Sequence, residues 1–174
     1  MELADRAEAR LPKTGVEVLV AGEVPAAYVP MMLEEMELDG RDAREVSLAH
    51  ISQEAREALP VLIIGAGMSG ILAGIRLQEE GIPYVIIEKN PGVGGTWYEN
   101  TYPGCRVDVG NHFYCYSFEP NLDWHEFFAR QPELQAYFDR CAHDFGVIDH
   151  IRFDTEVTSA RWHEDTGRWR VAVR

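Results

Sequence analysis

The chain has 174 residues, which suits one modest domain with an extension, and its 46% hydrophobic content fits a globular core rather than a disordered tail. Its formal net charge of −13 argues against nucleic acid and anionic membranes as partners, because phosphates would repel it. Its three cysteines form neither a CxxC pair nor a metal-ligand cluster, so we expect no metal site, no disulfide framework and a reducing, cytoplasmic location.

The first 59 residues are acidic and are predicted to form a mainly helical extension. Residues 1–11 are charged and lack the apolar segment of a signal peptide. One apolar helical stripe is predicted from the spacing of Leu48, Ile51, Ala55 and Leu59. A short helix is predicted around Tyr28, Met32 and Met36, whereas residues 16–20 fit a strand or a helix. The extension shows no catalytic pattern, and we interpret it as a cap on the main domain or on a second subunit of a homodimer.

A predicted βαβ unit begins at Pro60. Residues 61–64 form a short β-branched apolar run, which predicts a strand buried on both faces of a parallel sheet. Residues 68–80 predict a helix, and residues 84–88 predict a second buried strand after a Gly-Ile-Pro break. A right-handed crossover of this kind predicts an α/β, Rossmann-like domain over residues 60–174.

The second half of this domain combines a long loop with more regular elements. Residues 90–118 are rich in glycine and aromatic residues without a period, which is typical of a functional loop. Residues 132–145 predict a helix with one apolar stripe and a proline in its first turn. Strands are predicted at residues 151–153, 156–162 and 169–173, and the last two form a hairpin.

A GxGxxG pattern lies between the first predicted strand and its helix. Gly65 allows a tight turn, Gly67 allows the backbone to touch a pyrophosphate, and Gly70 allows helix and strand to pack closely. The free N–H groups and the helix dipole then favour two negative phosphates. The predicted phosphate-binding residues are Gly65, Gly67, Met68, Ser69 and Gly70.

Glu88 closes the second predicted strand, where a carboxylate accepts hydrogen bonds from ribose hydroxyls. An acid at this position would repel a 2′-phosphate, so the pattern argues against NADP at this loop. These residues leave the choice between FAD and NAD open.

A more specific fingerprint follows Glu88. Residues 94–97 read Gly-Gly-Thr-Trp, residues 100–108 read Asn-Thr-Tyr-Pro-Gly-Cys-Arg-Val-Asp, and residues 114–118 read Tyr-Cys-Tyr-Ser-Phe. The chain thereby resembles the N-terminal, FAD-binding part of the type I Baeyer–Villiger flavin monooxygenases, and its extension is similar to that of hydroxyacetophenone-type members. The resemblance implies bound FAD, NADPH as hydride donor, and insertion of oxygen from O₂ next to the carbonyl of a small ketone, giving an ester or lactone.

The resemblance also implies roles for individual residues. Trp97 would lie against the flavin, and Tyr114 matches a tyrosine near it. Asp108 matches an aspartate near the flavin and nicotinamide, and Arg106 would share its face of an extended loop. Asp108 and Arg106 are therefore the predicted catalytic residues, and Val157 falls where a strand closes the adenine side. The further predicted cofactor-binding residues are Lys89, Gly94, Gly95, Thr96, Trp97, Asp108, Tyr114 and Val157.

The chain also departs from complete members of that family. Those are much longer and carry a second glycine loop for NADPH, so the resemblance implies an N-terminal fragment with an incomplete sheet, inactive alone. Two alternatives stay open: a non-catalytic FAD-binding module, and an N- or S-oxidising flavin monooxygenase. A disulfide reductase is disfavoured, because the redox CxxxxC is absent. The histidines His112, His125 and His143 are interpreted as surface or structural residues.

Overall fold

The computed structural model describes residues 25–28, 30–31 and 47–174. The chain divides into two compact units, residues 1–47 and residues 48–174. In the first unit a 3₁₀ turn spans Ala26–Tyr28, and residues 30–31 are helical. Most of the predicted helical extension, including its helix around Met32 and Met36 and the ambiguous residues 16–20, lies outside the described residues.

Residues 48–59 belong to the second unit and do not form one amphipathic helix. Helix α1 covers only Gln53–Glu57 and contains no buried residue. It begins there because Ser52 is its cap: the Ser52 hydroxyl accepts a hydrogen bond from the Ala55 N–H at 3.3 Å. Leu59 is 70% exposed. The predicted buried stripe along these residues is therefore wrong.

The centre of the second unit is a three-stranded parallel sheet in the order β1-β2-β3. Its strands are β1 (Val61–Ile64), β2 (Tyr84–Ile87) and β3 (Ile151–Arg152). β1 pairs with β2 without interruption, and β2 pairs with β3 in the same direction. The predicted α/β class, the Rossmann-like βαβ unit and the incomplete sheet are confirmed.

Helix α2, Met68–Glu79, connects β1 to β2 and lies against the sheet. Its buried residues are Gly70, Ile71, Gly74 and Ile75. Gly74 permits the close approach, because a Cβ at this position would lie 3.0 Å from both the Tyr84 ring and the Val147 side chain. The sequence pattern did not single out this glycine.

β1 is covered on one face only. Ile63 lies under helix α2, and a Cβ at Gly70 would lie 3.5 Å from its Cγ2. On the opposite face Leu62 and Ile64 are 36% and 61% exposed. The prediction of burial on both faces is wrong for β1, because α2 covers the face that carries Ile63 and the other face stays open in the described part of the chain.

Helix α3, Thr96–Glu99, is a single turn, whereas helix α4, Gln131–Asp144, is a main element of the core. The apolar stripe predicted for α4 is buried at Leu134, Tyr137, Phe138 and Cys141. Short 3₁₀ helices span Asn111–Phe113 and Val147–His150. Within the described ranges, no helix has the length and apolar character needed to cross a membrane.

Strands β4 (Val157–His163) and β5 (Arg168–Val173) form the predicted antiparallel hairpin. Trp162 lies opposite Trp169, and the two rings are 5.7 Å apart between centroids. Both side chains are largely exposed, so this hairpin is held mainly by its ladder and its cross-strand pairs.

Candidate functional site

A cleft opens at the carboxyl ends of β1 and β2. It consists of two adjoining cavities of about 330 and 340 Å³, which we call the inner and the outer cavity. Both are lined by Ile64, Gly65, Gly67, Gly95 and Thr96, so they form one groove. Parallel α/β sheets bind ligands at this edge, and an elongated groove suits a dinucleotide.

One wall of the cleft is the glycine turn, residues 65–70. Gly65 has a φ of +94°, a left-handed conformation that favours glycine. A Cβ at Gly70 would lie 1.9 Å from the Gly65 carbonyl oxygen, so no larger residue fits this turn. Gly67 is the N-cap of α2 and makes no side-chain cap, which leaves the first N–H groups of the helix available for an anion.

Glu88 ties the glycine turn to the end of β2. Its side chain is buried, and its carboxylate accepts hydrogen bonds from the Ala66 N–H at 2.7 Å and the Asn90 N–H at 2.8 Å. A carboxylate has about four acceptor positions. Glu88 lines the outer cavity and therefore keeps acceptor capacity for the hydroxyls of a sugar.

An ion pair stands beside Glu88 at the mouth of the outer cavity. Lys89 Nζ lies 2.7 Å from the Glu99 carboxylate, and Asn90 Nδ2 donates to the same carboxylate at 3.0 Å. The hydrogen bond with Glu99 raises the pKa of Lys89. The hydrogen bonds from Lys89 and Asn90 lower the pKa of Glu99. This pair connects the end of β2 to α3.

The opposite wall is the tryptophan loop, residues 93–97. The Gly94 N–H donates to the Ala66 carbonyl at 2.9 Å, which joins this wall to the glycine turn. Trp97 is buried, and its indole N–H donates to the Tyr114 hydroxyl at 3.2 Å. The two rings are nearly perpendicular, with centroids 5.7 Å apart. Trp97 and Tyr114 give the inner cavity an aromatic surface.

Most predicted cofactor-binding residues line this groove. Those on the inner cavity are Gly65, Gly67, Met68, Ser69, Gly70, Gly94, Gly95, Thr96, Trp97 and Tyr114. Those on the outer cavity include Glu88, Lys89 and Val157. The sequence pattern missed Ile64, Ile87, Asn90, Glu99, Thr155 and Glu156. All six lie within two positions of a predicted residue, which is the signal that could have found them.

The two predicted catalytic residues line neither cavity. Arg106 and Asp108 are exposed on either side of the buried Val107, so they do share a face of the loop. Arg106 Nη1 pairs with the Glu126 carboxylate at 3.2 Å. The roles assigned to Arg106 and Asp108 stay predictions.

Tyr116 lies in the core. Its hydroxyl donates to the Met68 carbonyl at 2.6 Å, and its N–H donates to the Tyr137 hydroxyl at 2.8 Å. Burial raises the pKa of Tyr116. Tyr116 therefore holds the first turn of α2 by a hydrogen bond from the core side of the cleft.

His125 lies on the surface, 2.5 Å from the Glu133 carboxylate. The hydrogen bond that the His125 ring donates to the Glu133 carboxylate raises the pKa of His125, so the protonated form is favoured.

Comparison with known proteins places this groove in a family. Residues 63–141 match a family model described as an NAD(P)-binding Rossmann-like domain. A Baeyer–Villiger monooxygenase of Streptomyces coelicolor is 41% identical over 120 residues, which cover 68% of this chain and 23% of that protein. This chain is a relative of the Baeyer–Villiger monooxygenases. The family resemblance predicted from the fingerprint is confirmed.

Two further proteins are similar to this chain. The monooxygenase y4iD of Sinorhizobium fredii is 40% identical over 155 residues, covering 88% of this chain and 22% of that protein. The crystal structure of OTEMO in complex with FAD and NADP is similar with a TM-score of 0.63 at 40% identity, covering 67% of this chain and 23% of that one. The chain spans less than a quarter of the length of these relatives.

Proposed function

We propose that this chain is the FAD-binding portion of an NADPH-dependent flavoprotein monooxygenase. The observation that carries the proposal is the continuous groove, which has the glycine turn at the start of α2 in the middle, a carboxylate at one end and an aromatic surface at the other. FAD has the same order of chemical groups: adenosine, pyrophosphate and isoalloxazine.

The residues of the groove fit FAD along its length. The pyrophosphate would lie on the N–H groups at the start of α2, where the helix dipole favours negative charge. Glu88 would accept hydrogen bonds from the adenosine ribose, and Val157 would close the adenine side. Trp97 and Tyr114 would contact the isoalloxazine. Bound FAD would supply the redox chemistry of the reaction, with NADPH as the hydride donor and O₂ as the oxidant.

In this proposal, the role of the chain is to bind FAD and to orient it. The buried Trp97 and its bond to Tyr114 give the isoalloxazine a fixed, apolar neighbour that excludes water. The Glu88 side chain already accepts hydrogen bonds from two N–H groups and offers only acceptor oxygens to a ligand, so it disfavours a 2′-phosphate at this end. We assign Asp108 and Arg106 to the catalytic side of the flavin, and the reaction to conversion of a ketone into an ester or lactone.

Flavin binding by the purified 174-residue chain tests the first part of the proposal. We expect FAD to bind with a perturbed visible spectrum and quenched flavin fluorescence, and ADP to compete better than its 2′-phosphorylated analogue. A chain that folds but neither retains nor binds FAD would overturn the proposal.

The reaction is tested on the longer protein that contains this sequence. With NADPH and O₂, formation of an ester or lactone from a ketone supports the proposed reaction. Oxidation of amines or sulfides without any ester product would replace it with heteroatom oxidation.

We also propose a cytoplasmic location, no nucleic-acid or membrane partner, and a homodimer formed through residues 1–59. The net charge of −13 and the three cysteines, which form no disulfide, support the first two. Sedimentation of the full chain against a chain lacking residues 1–47 tests the third, since only the full chain should dimerise.

A further inference from the structure

Two glutamines on helix α4 hold the tryptophan loop from outside the cleft. The Gln135 side-chain amide donates to the Val93 carbonyl at 2.7 Å, and the Gln131 side-chain amide donates to the Trp97 carbonyl. The glutamines are four residues apart, so their side chains leave the same face of α4 one turn apart. They therefore donate hydrogen bonds to the first and the last carbonyl of the loop.

The two glycines of this loop, which precede the start of α3 at Thr96, have little rigidity of their own. Gly94 and Gly95 have φ angles of +117° and +54°, and glycine has the largest backbone freedom to lose on ordering. α4 is a rigid support by contrast, because Leu134 and Phe138 on its buried side are completely enclosed in the core. The two side-chain amides attach the loop to this rigid helix by hydrogen bonds.

Gln135 also occupies the space that Gly94 leaves. A Cβ at Gly94 would lie 2.0 Å from the Gln135 Oε1 atom. This oxygen is buried and has no hydrogen-bond partner in the described residues. An unpaired buried acceptor is destabilising, so its presence against the loop calls for a reason other than stability.

We propose that Gln131 and Gln135 are positioning residues that set the isoalloxazine end of the cleft by holding the tryptophan loop. The inference rests on the proposed binding of FAD. Neither glutamine lines the cleft, so both act through the loop. Loss of either amide removes one of the two side-chain hydrogen bonds from α4 to the loop and loosens the Trp97 ring against its ligand.

The test replaces each glutamine with methionine, which keeps the length of the side chain and removes the donor. Gln78→Met is the matched control, since the Gln78 amide also donates to a carbonyl, that of Phe145 at 3.0 Å, and lines neither cavity. In the absence of FAD, we expect the Gly94 and Trp97 amides to exchange about five- to tenfold faster in both loop variants and unchanged in the control. The FAD dissociation constant should rise about tenfold in the same two variants.

Gln135→Glu gives a signature that a merely structural role does not produce. At neutral pH the introduced carboxylate places an acceptor against the Val93 carbonyl, whereas the protonated carboxyl can donate to it. We expect weak FAD binding at pH 7 that recovers towards the wild-type value on acidification, with the wild type measured in parallel. If Gln135→Met does not fold, Gln135→Glu and Gln131→Met still provide the test.

The outcomes separate this inference from the proposed function. Unchanged amide exchange in both methionine variants would overturn the inference, and so would faster exchange with unaltered FAD affinity. A wild-type chain that binds no FAD would overturn the proposed function and with it the positioning role. The exchange measurement without FAD still decides whether the glutamines hold the loop.

Discussion

The two walls of the cleft are both rich in glycine, yet they acquire their shapes differently. The glycine turn is shaped by its neighbours in sequence, with β1 before it, α2 after it, and Gly70 against the Gly65 carbonyl. The tryptophan loop is held by Gln131 and Gln135, whose bonds reach across 34 and 42 residues of sequence. A glycine motif thus defines its own geometry only where regular elements flank it on both sides.

This contrast has a consequence for mutation. Changes inside the glycine turn should act directly on the backbone and be severe. Changes around the tryptophan loop should act through side-chain hydrogen bonds, each of which contributes about 1 kcal/mol. Changes to exposed charges at the mouth should matter least.

The largest effect is expected for Gly70→Ala, because the new methyl would meet the Gly65 carbonyl at 1.9 Å and a backbone atom cannot move aside. We expect a loss of about 4 kcal/mol or more in the free energy of unfolding, and no FAD binding. Denaturant unfolding and FAD titration measure the two effects.

Gly104→Ala is the matched control for the glycine turn. Gly104 has a φ of +81° with nothing within 4 Å of an added Cβ, so only backbone strain of about 1–2 kcal/mol is expected, with FAD binding retained. Equal effects of the two substitutions would contradict the described turn.

An intermediate effect is expected for Glu88→Gln. The carboxylate accepts from two N–H groups, and an amide offers only one acceptor oxygen, so one buried N–H would face an NH₂ group. We expect a loss of about 2 kcal/mol in stability and about tenfold in FAD affinity, with weaker discrimination against a 2′-phosphate. Competition by ADP and by its 2′-phosphorylated analogue measures the discrimination.

Glu79→Gln serves as the control for Glu88. Glu79 is exposed on α2 and pairs with Arg76. This substitution should leave FAD affinity unaltered. If Glu88→Gln binds FAD as tightly as this control does, the carboxylate has no part in holding the ribose.

The smallest effect is expected for Glu99→Gln, with about a twofold change in FAD affinity. Because Lys89 and Asn90 lower the pKa of Glu99, ionised Glu99 favours the folded chain. That contribution is present above the ordinary carboxyl pKa and is lost as the pH falls through the lowered pKa. The Tm difference between wild type and variant should therefore shrink from pH 7 to pH 3. A difference that grows on acidification would contradict the ion pair.

Local patterns in the sequence were enough to predict the glycine turn, the β1-α2-β2 order, helix α4 and the hairpin. Each of these depends on residues within a few positions of one another, such as the stripe that buries Leu134 and Phe138 or the turn before Arg168. Periodicity and turn chemistry act at that range. The fingerprint then indicated the family and the aromatic end of the groove.

Long-range contacts settled the rest. The pairing of Arg106 with Glu126, the glutamines behind the tryptophan loop and the open face of β1 all depend on which elements meet in space. The periodicity of the sequence does not predict these contacts. Residues far apart in sequence become hydrogen-bond or ion-pair partners only when tertiary packing brings them together. Sequence patterns therefore defined the elements and the residue types of the groove, and tertiary packing determined which side chains face the groove and which hold them in place.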